Sequence, residues 1–147
     1  MEIHVSVSSD KVDKISKAIS QTAVTLILED MTNVREQMVN DLRQIGVTGK
    51  ILEAENVQQA IEHTQKGKID MIISDWNLPD GTGLDFLKQT KTNPTIANIP
   101  FIMCTTMDEI TNIMEAIEEG ATEYIVKPWE IDELADKVLD SWTRIYS

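Results

Sequence analysis

Six residues carry side chains suited to work at a charged, oxygen-rich centre: Glu29 and Asp30, Asp75 with Asn77 two positions on, Thr105 and Lys127. All lie at or just past the ends of short apolar runs. Brought to one place, three carboxylates repel and raise one another's pKa values unless a cation intervenes. Lys127 supplies one positive charge, and a divalent ion is the natural remainder. Carboxylate, carbonyl and water ligands suit Mg²⁺, which is small, hard and octahedral. A metal-bound carboxylate beside a hydroxyl and an ammonium can accept a phosphoryl group, a reaction that needs in-line positioning and neutralised equatorial oxygens more than covalent help. Asp75, closing the run Met71-Ile72-Ile73-Ser74, is the expected acceptor. Glu29, Asp30 and the backbone carbonyl of Asn77 would hold the metal with it. Thr105 and Lys127 would each contact one phosphoryl oxygen.

For these residues to meet, the chain must bring distant segments to one edge. Apolar runs at Ala23–Leu28, Ile51–Ala54, Met71–Ile73, Phe101–Cys104 and Tyr124–Val126 are short and nearly continuous, as in strands buried on both faces of a parallel sheet. Stretches with helical spacing lie between them. Val34, Met38, Leu42 and Ile45 form one stripe, with Thr32 as the expected N-cap and Gly46 past its end. A second helix runs from Val57 to about Gln65 behind Asn56, and a third from Leu84 to about Lys91. A fourth bears Ile110, Ile113, Met114 and Ile117 and ends at Gly120. The last presents Ile131, Leu134, Val138, Trp142 and Ile145. This is a (βα)₅ repeat. It implies a doubly wound, three-layer α/β sandwich with right-handed crossovers, five strands being too few for a closed barrel. The ligand site of such a sheet lies outside the carboxyl ends of the strands, where the six residues fall.

Residues 1–22 stand outside the repeat and read as an N-terminal extension to a domain spanning 23–147. Ile3, Val5 and Val7 alternate as in a strand, and Ser8 or Ser9 could cap a short helix bearing Val12, Ile15 and Ile19. Three acids balance three lysines here, so the formal charge of −12 belongs to the repeat. That charge argues against nucleic acid and against an anionic membrane surface. The lone cysteine, Cys104, excludes an internal disulfide and a Cys-rich zinc site. There is no apolar run of membrane-spanning length and no signal-peptide pattern in Met1–Ser9, so a cytoplasmic protein is expected.

A lone Asp after a strand is commonly a turn or cap residue; the ordered set is far more specific. Leu28-Glu29-Asp30, Ser74-Asp75-Trp76-Asn77-Leu78-Pro79, Cys104-Thr105-Thr106 and Tyr124-Ile125-Val126-Lys127-Pro128-Trp129 resemble the receiver domain of two-component response regulators, in its single-domain, CheY-like form. The resemblance covers about residues 23–147 and implies strand order 2-1-3-4-5. It makes Asp75 the phosphoacceptor for a histidine kinase and Asp30 a direct Mg²⁺ ligand. Glu29 becomes an acidic neighbour that often acts through water, standing where many members have Asp. Thr105 and Tyr124 become the switch pair, and the Lys127–Pro128 peptide is expected to be cis. Asn77 and Met107 occupy the two positions that tune acyl-phosphate hydrolysis. Met107 cannot orient water, so self-dephosphorylation should be slow to moderate.

The output face implied is that of the repeat's fourth helix, fifth strand and fifth helix. It falls within residues 101–147, which carry 11 acids and 3 bases and so suit a basic protein partner. With no effector segment after Ser147, the chain reads as a stand-alone regulator, monomeric or weakly dimeric, and not an enzyme beyond self-phosphotransfer and self-dephosphorylation. Chemotactic output, phosphorelay and phosphate sink stay open. A Mg²⁺-dependent phosphohydrolase with an Asp nucleophile is the competing class, but it would want an acid where Asn77 stands, and there is no room for a substrate cap. A flavin-mononucleotide binder would need a phosphate loop where Glu29-Asp30-Met31 would repel it. Asp80-Gly81-Thr82-Gly83 lacks the lysine and spacing of a nucleotide loop and reads as a turn into the third helix.

Overall fold

The computed structural model describes residues 6–109 and 111–146. Five parallel strands form the central sheet: β1 (Thr25–Leu28), β2 (Ile51–Ala54), β3 (Met71–Asp75), β6 (Phe101–Thr106) and β7 (Glu123–Lys127), in the order β2-β1-β3-β6-β7. This is the 2-1-3-4-5 order that the family resemblance implies, in the doubly wound parallel sheet that the alternating apolar runs predict. A two-residue ladder, β4 (Asn77–Leu78) with β5 (Gly81–Thr82), interrupts the repeat after β3.

Side chains alternate across a strand, and here the alternation sorts the core into two layers. Ile27, Ile73, Ile102, Cys104 and Ile125 face one side, where α2 (Thr32–Ile45) and α6 (Ile131–Tyr146) supply Met38, Leu42, Leu134 and Val138. Leu26, Leu28, Ile72, Phe101 and Met103 face the other, under α3 (Val57–Lys66), α4 (Gly83–Lys91) and α5 (Thr111–Glu118). The register then fixes which residues leave the sheet together: Leu28 pairs with Ser74, Asp75 with Cys104, and Thr106 with Lys127.

Local signals start and stop the helices. Asn56 caps α3 through Gln59 N, and α4 opens with a capping box between Thr82 and Asp85. Asp80 is a second anchor for α3, accepting hydrogen bonds from the backbone of Val57 at 2.8 Å and Gln58 at 3.0 Å. Two expectations need correction. Thr32 is the first helical residue of α2, not its cap; Met31 stands at the cap without a side-chain bond. In the fourth helix of the repeat, α5, only Ile113 and Ala116 are buried, while Met114 is 72% exposed and Ile117 44%. Eight residues give two turns, and of their two buried positions Ala116 joins the second core layer. Ile110, like Ile3 and Val5, lies outside the described residues.

The N-terminal helix α1 (Ser9–Ala18) is capped by Ser8, one of the two serines expected. It lies against α2 and α6, burying Ile15 and Ile19 completely in the first core layer. Gly46 makes the approach possible: it ends α2 at φ +112°, and a Cβ there would meet the Val12 carbonyl at 2.7 Å. Lys11 ties α1 to α6 through Asp132 and Asp136, each at 2.8 Å. Truncating Ile15 to Ala should therefore cost about 2–5 kcal/mol, as for other fully buried aliphatic side chains. A shift in the urea unfolding midpoint is the measurement, and an unchanged midpoint would mean that α1 is only loosely held.

Candidate functional site

Glu29, Asp75 and Lys127 share strand parity with Ile27, Ile73 and Ile125, so all three turn to the α2–α6 side of the sheet edge. Glu29, Asp30 and Asp75 each offer a carboxylate oxygen, and these lie within 4.8 Å of one another. Glu29 is buried, Asp75 partly buried and Asp30 open to solvent. The Lys127 ammonium pairs directly with Glu29 Oε1 and lies 3.0 Å from Asp75 Oδ1. Backbone groups hold the carboxylates too: Met31 N donates to Glu29 at 3.0 Å and Trp76 N to Asp75 at 2.8 Å. The Lys127–Pro128 peptide is cis.

The electrostatics follow from burial and crowding. Burial is the main force raising the Glu29 pKa, and the Asp75 charge adds to it; Lys127 and the Met31 N–H oppose both without prevailing. Burial disfavours the Lys127 ammonium, yet its contacts with Glu29 and Asp75 outweigh that and hold its pKa above the usual lysine value. Three carboxylates against one ammonium leave net negative charge, and the donor set is all oxygen. Those residues fit a hard divalent cation. Cys104, paired in register with Asp75, is no competitor: burial pushes its thiol up to about 12, which leaves it unreactive.

The other expected site residues are not all drawn into the acidic pocket. Thr105 is buried with the opposite parity, and its hydroxyl donates to Glu109 Oε2 at 3.0 Å. The Asn77 side chain is exposed and its amide donates to Glu109 Oε1. Met107 is 64% exposed in the 3₁₀ turn Met107–Glu109. Tyr124 is half-buried on β7, with Lys137 Nζ 4.2 Å from its ring centre.

Three supports escaped sequence reasoning. Arg35, buried on α2, donates to the Glu29 backbone carbonyl at 2.8 Å and pairs with Glu53 at 3.1 Å. Asp41 accepts from the Trp129 indole at 2.8 Å, clamping the loop that follows Lys127. Glu109 joins Asn77 to Thr105. Spacing offers a signal for the last alone: an acid four residues after Thr105 faces it across one turn. Gly83 matters sterically, since a Cβ there would lie 2.2 Å from the Asp75 carbonyl.

Residues 25–139 match the family model described as the response regulator receiver domain. The chain is 30% identical to "Chemotaxis protein CheY" of Pseudomonas aeruginosa over 120 residues, covering 82% of this chain and 96% of that protein. It is 32% identical to "Chemotaxis protein CheY-3" of Vibrio cholerae, covering 82% and 92%. Among solved structures, a putative response regulator from Chloroflexus aurantiacus superposes with a TM-score of 0.77 at 28% identity, covering 83% of this chain and 98% of that one. The chemotaxis response regulator CheY4 of Vibrio cholerae gives 0.70 at 27%, covering 84% and 98%.

The Lys127 pairing generates a prediction. Lys127→Met strips the cation from two packed carboxylates and should destabilise the metal-free protein by about 1–3 kcal/mol, less than a fully buried pair because solvent reaches Asp75. In that variant only the Met31 N–H still counters the burial that raises the Glu29 pKa. A carboxyl with a folded-state pKa above its unfolded one binds more protons when folded, so the deficit should narrow as pH falls from 7 toward 5. Urea unfolding of both proteins at the two pH values checks this; a deficit that widens on acidification contradicts it.

Proposed function

The chain belongs to the response regulator receiver domain family, and from that premise we propose that it is a phosphorylation-driven signalling switch with Asp75 as phosphoacceptor. The observation that carries this reading is the convergence of Glu29, Asp30 and Asp75 on one edge with Lys127 between them. The donor is a histidine kinase. An Asp75 carboxylate oxygen attacks the phosphorus of a phosphohistidine, the P–N bond breaks, and the imidazole nitrogen leaves with the electron pair and takes up a proton. Asp75 then carries an acyl phosphate. Glu29, Asp30, Asp75 and the Asn77 carbonyl would hold Mg²⁺, which would supply charge neutralisation for the phosphoryl oxygens. Lys127 contacts one of those oxygens and keeps Glu29 from repelling the group. Trp76 N already donates to Asp75 Oδ1 and orients the carboxylate.

The output is a change in partner preference, not turnover. The new dianion draws Thr105 toward Asp75, and Tyr124 repacks behind it, as a bias on a pre-existing equilibrium. The surface affected is that of α5, β7 and α6, with exposed Met114 and Ile117 on α5 amid an acidic segment. A basic protein partner, as in a chemotaxis output, fits it. The protein acts in the cytoplasm.

Two measurements test the reading. Acetyl phosphate with Mg²⁺ should label the protein one-to-one, and labelling should vanish in Asp75→Asn or when the metal is chelated; persistent labelling of the variant overturns the assignment. Met107, exposed and apolar, offers no group to place water near the acyl phosphate. Met107→Glu should therefore shorten the acyl-phosphate lifetime several-fold by ³²P decay, and an equal lifetime removes Met107 from that role.

A further inference from the structure

Strand alternation sets a problem for the switch. Asp75 turns to the α2–α6 side of the sheet and Thr105 to the α4–α5 side. The Thr105 hydroxyl is taken up there by Glu109 Oε2 at 3.0 Å, while Glu109 Oε1 accepts from the Asn77 amide. One carboxylate thus occupies the two neutral polar side chains that flank the acceptor, one from the segment after β3 and one from β6. Glu109 closes the 3₁₀ turn that leads into α5.

We propose that Glu109 is a positioning residue that latches the resting state, holding the Thr105 hydroxyl and the Asn77 amide away from Asp75 until a phosphoryl group competes for them. The inference rests on the phosphoacceptor reading of Asp75. A hydroxyl has one proton to donate, so Thr105 cannot serve Glu109 and a phosphoryl oxygen with it at once. The phosphoryl dianion and the Glu109 carboxylate also repel, so occupancy at Asp75 favours Glu109 leaving. Its departure frees the Met107–Glu109 turn and with it the start of α5. The latch therefore opposes activation and, by linkage, converts phosphoryl binding into movement of that turn: a ligand shifts a two-state element only by its differential affinity for the two states.

The latch predicts an unusual sign. Beryllofluoride with Mg²⁺ stands in for the phosphoryl group, and tryptophan fluorescence, with Trp76 beside Asp75, reports its binding. Removing a latch tightens the complex, whereas removing a merely structural contact weakens it or leaves it alone. Glu109→Ala should lower the apparent dissociation constant by about fivefold, the scale of one net hydrogen bond. Glu109→Gln keeps one acceptor and no charge and should fall between. In a Thr105→Val background the gain from Glu109→Ala should shrink, because the hydroxyl it releases is gone. An equal or weaker affinity in Glu109→Ala overturns the latch, as does an undiminished gain in the Thr105→Val background. A misfolded variant cannot mimic the expected result, since lost structure does not tighten binding. If the wild type and Asp75→Asn respond alike to beryllofluoride, the acceptor reading fails instead, so the two failures are distinct.

Discussion

Everything at the functional edge is arranged around the mutual repulsion of carboxylates. At an effective dielectric of about 20, two carboxylates roughly 5 Å apart repel by about 3 kcal/mol, and Glu29, Asp30 and Asp75 crowd within that range. The parallel sheet forces the crowding, because each strand delivers its last residue to the same edge. Lys127 answers it from the fifth parallel strand, touching both Glu29 and Asp75. The ammonium balances only part of the charge, and what remains suits a divalent cation. A site relaxed by two or three lysines would fold more comfortably and attract no metal.

Holding such a site needs rigidity behind it, and the surroundings supply it from several elements. Arg35 reaches from α2 to the Glu29 carbonyl while anchored on Glu53. Asp41, also on α2, fixes Trp129 and so the segment after Lys127. Gly83 lets the β4–β5 hairpin close against the Asp75 carbonyl. The N-terminal helix presses on the same framework from behind, with Gly46 admitting the Val12 backbone and Ile15 and Ile19 filling the layer that α2 and α6 share. The acids are thus set on one rigid body, and α1 is a built part of its packing.

The features legible in the sequence are those that local rules dictate. Five apolar runs gave five parallel strands, and of the residues at their ends Glu29, Asp30, Asp75 and Lys127 converge, because strand polarity brings them to one edge and alternation turns Glu29, Asp75 and Lys127 to one side of it. Asn56 and Gly46 behave as their types require. Thr32 does not, since cap choice depends on where the chain turns, and Met31 makes that turn without a side-chain bond. Met114 and Ile117 followed helical spacing yet face solvent, because periodicity says that a stripe exists and not whether a partner layer is long enough to cover it. Arg35, Asp41 and Glu109 act through contacts between elements, at sequence separations of 6, 88 and 32 residues. Apart from the single turn between Thr105 and Glu109, no spacing rule reaches them.

The same alternation that builds the core explains how a chemical event at the edge could be felt elsewhere. Consecutive residues of β6 face opposite layers: Cys104 lies beneath the acids and Thr105 under the α5 side. Thr105 is therefore the point on that strand where the acidic pocket and the second layer meet. Its hydroxyl already leans away from the pocket, toward Glu109. On the neighbouring strand, Tyr124 is held half-buried with Lys137 over its ring, and Lys137 is itself paired with Glu123 at 3.1 Å. Both switch candidates thus have charged partners, Glu109 for the buried Thr105 and Lys137 for the half-buried Tyr124. A hydrogen bond from a hydroxyl to a carboxylate contributes about 1.5–3 kcal/mol net, a scale that a competing anionic acceptor can match. The acids and Lys127 hold the charge on one side of the sheet, and Thr105, on the other side, is the group proposed to answer it.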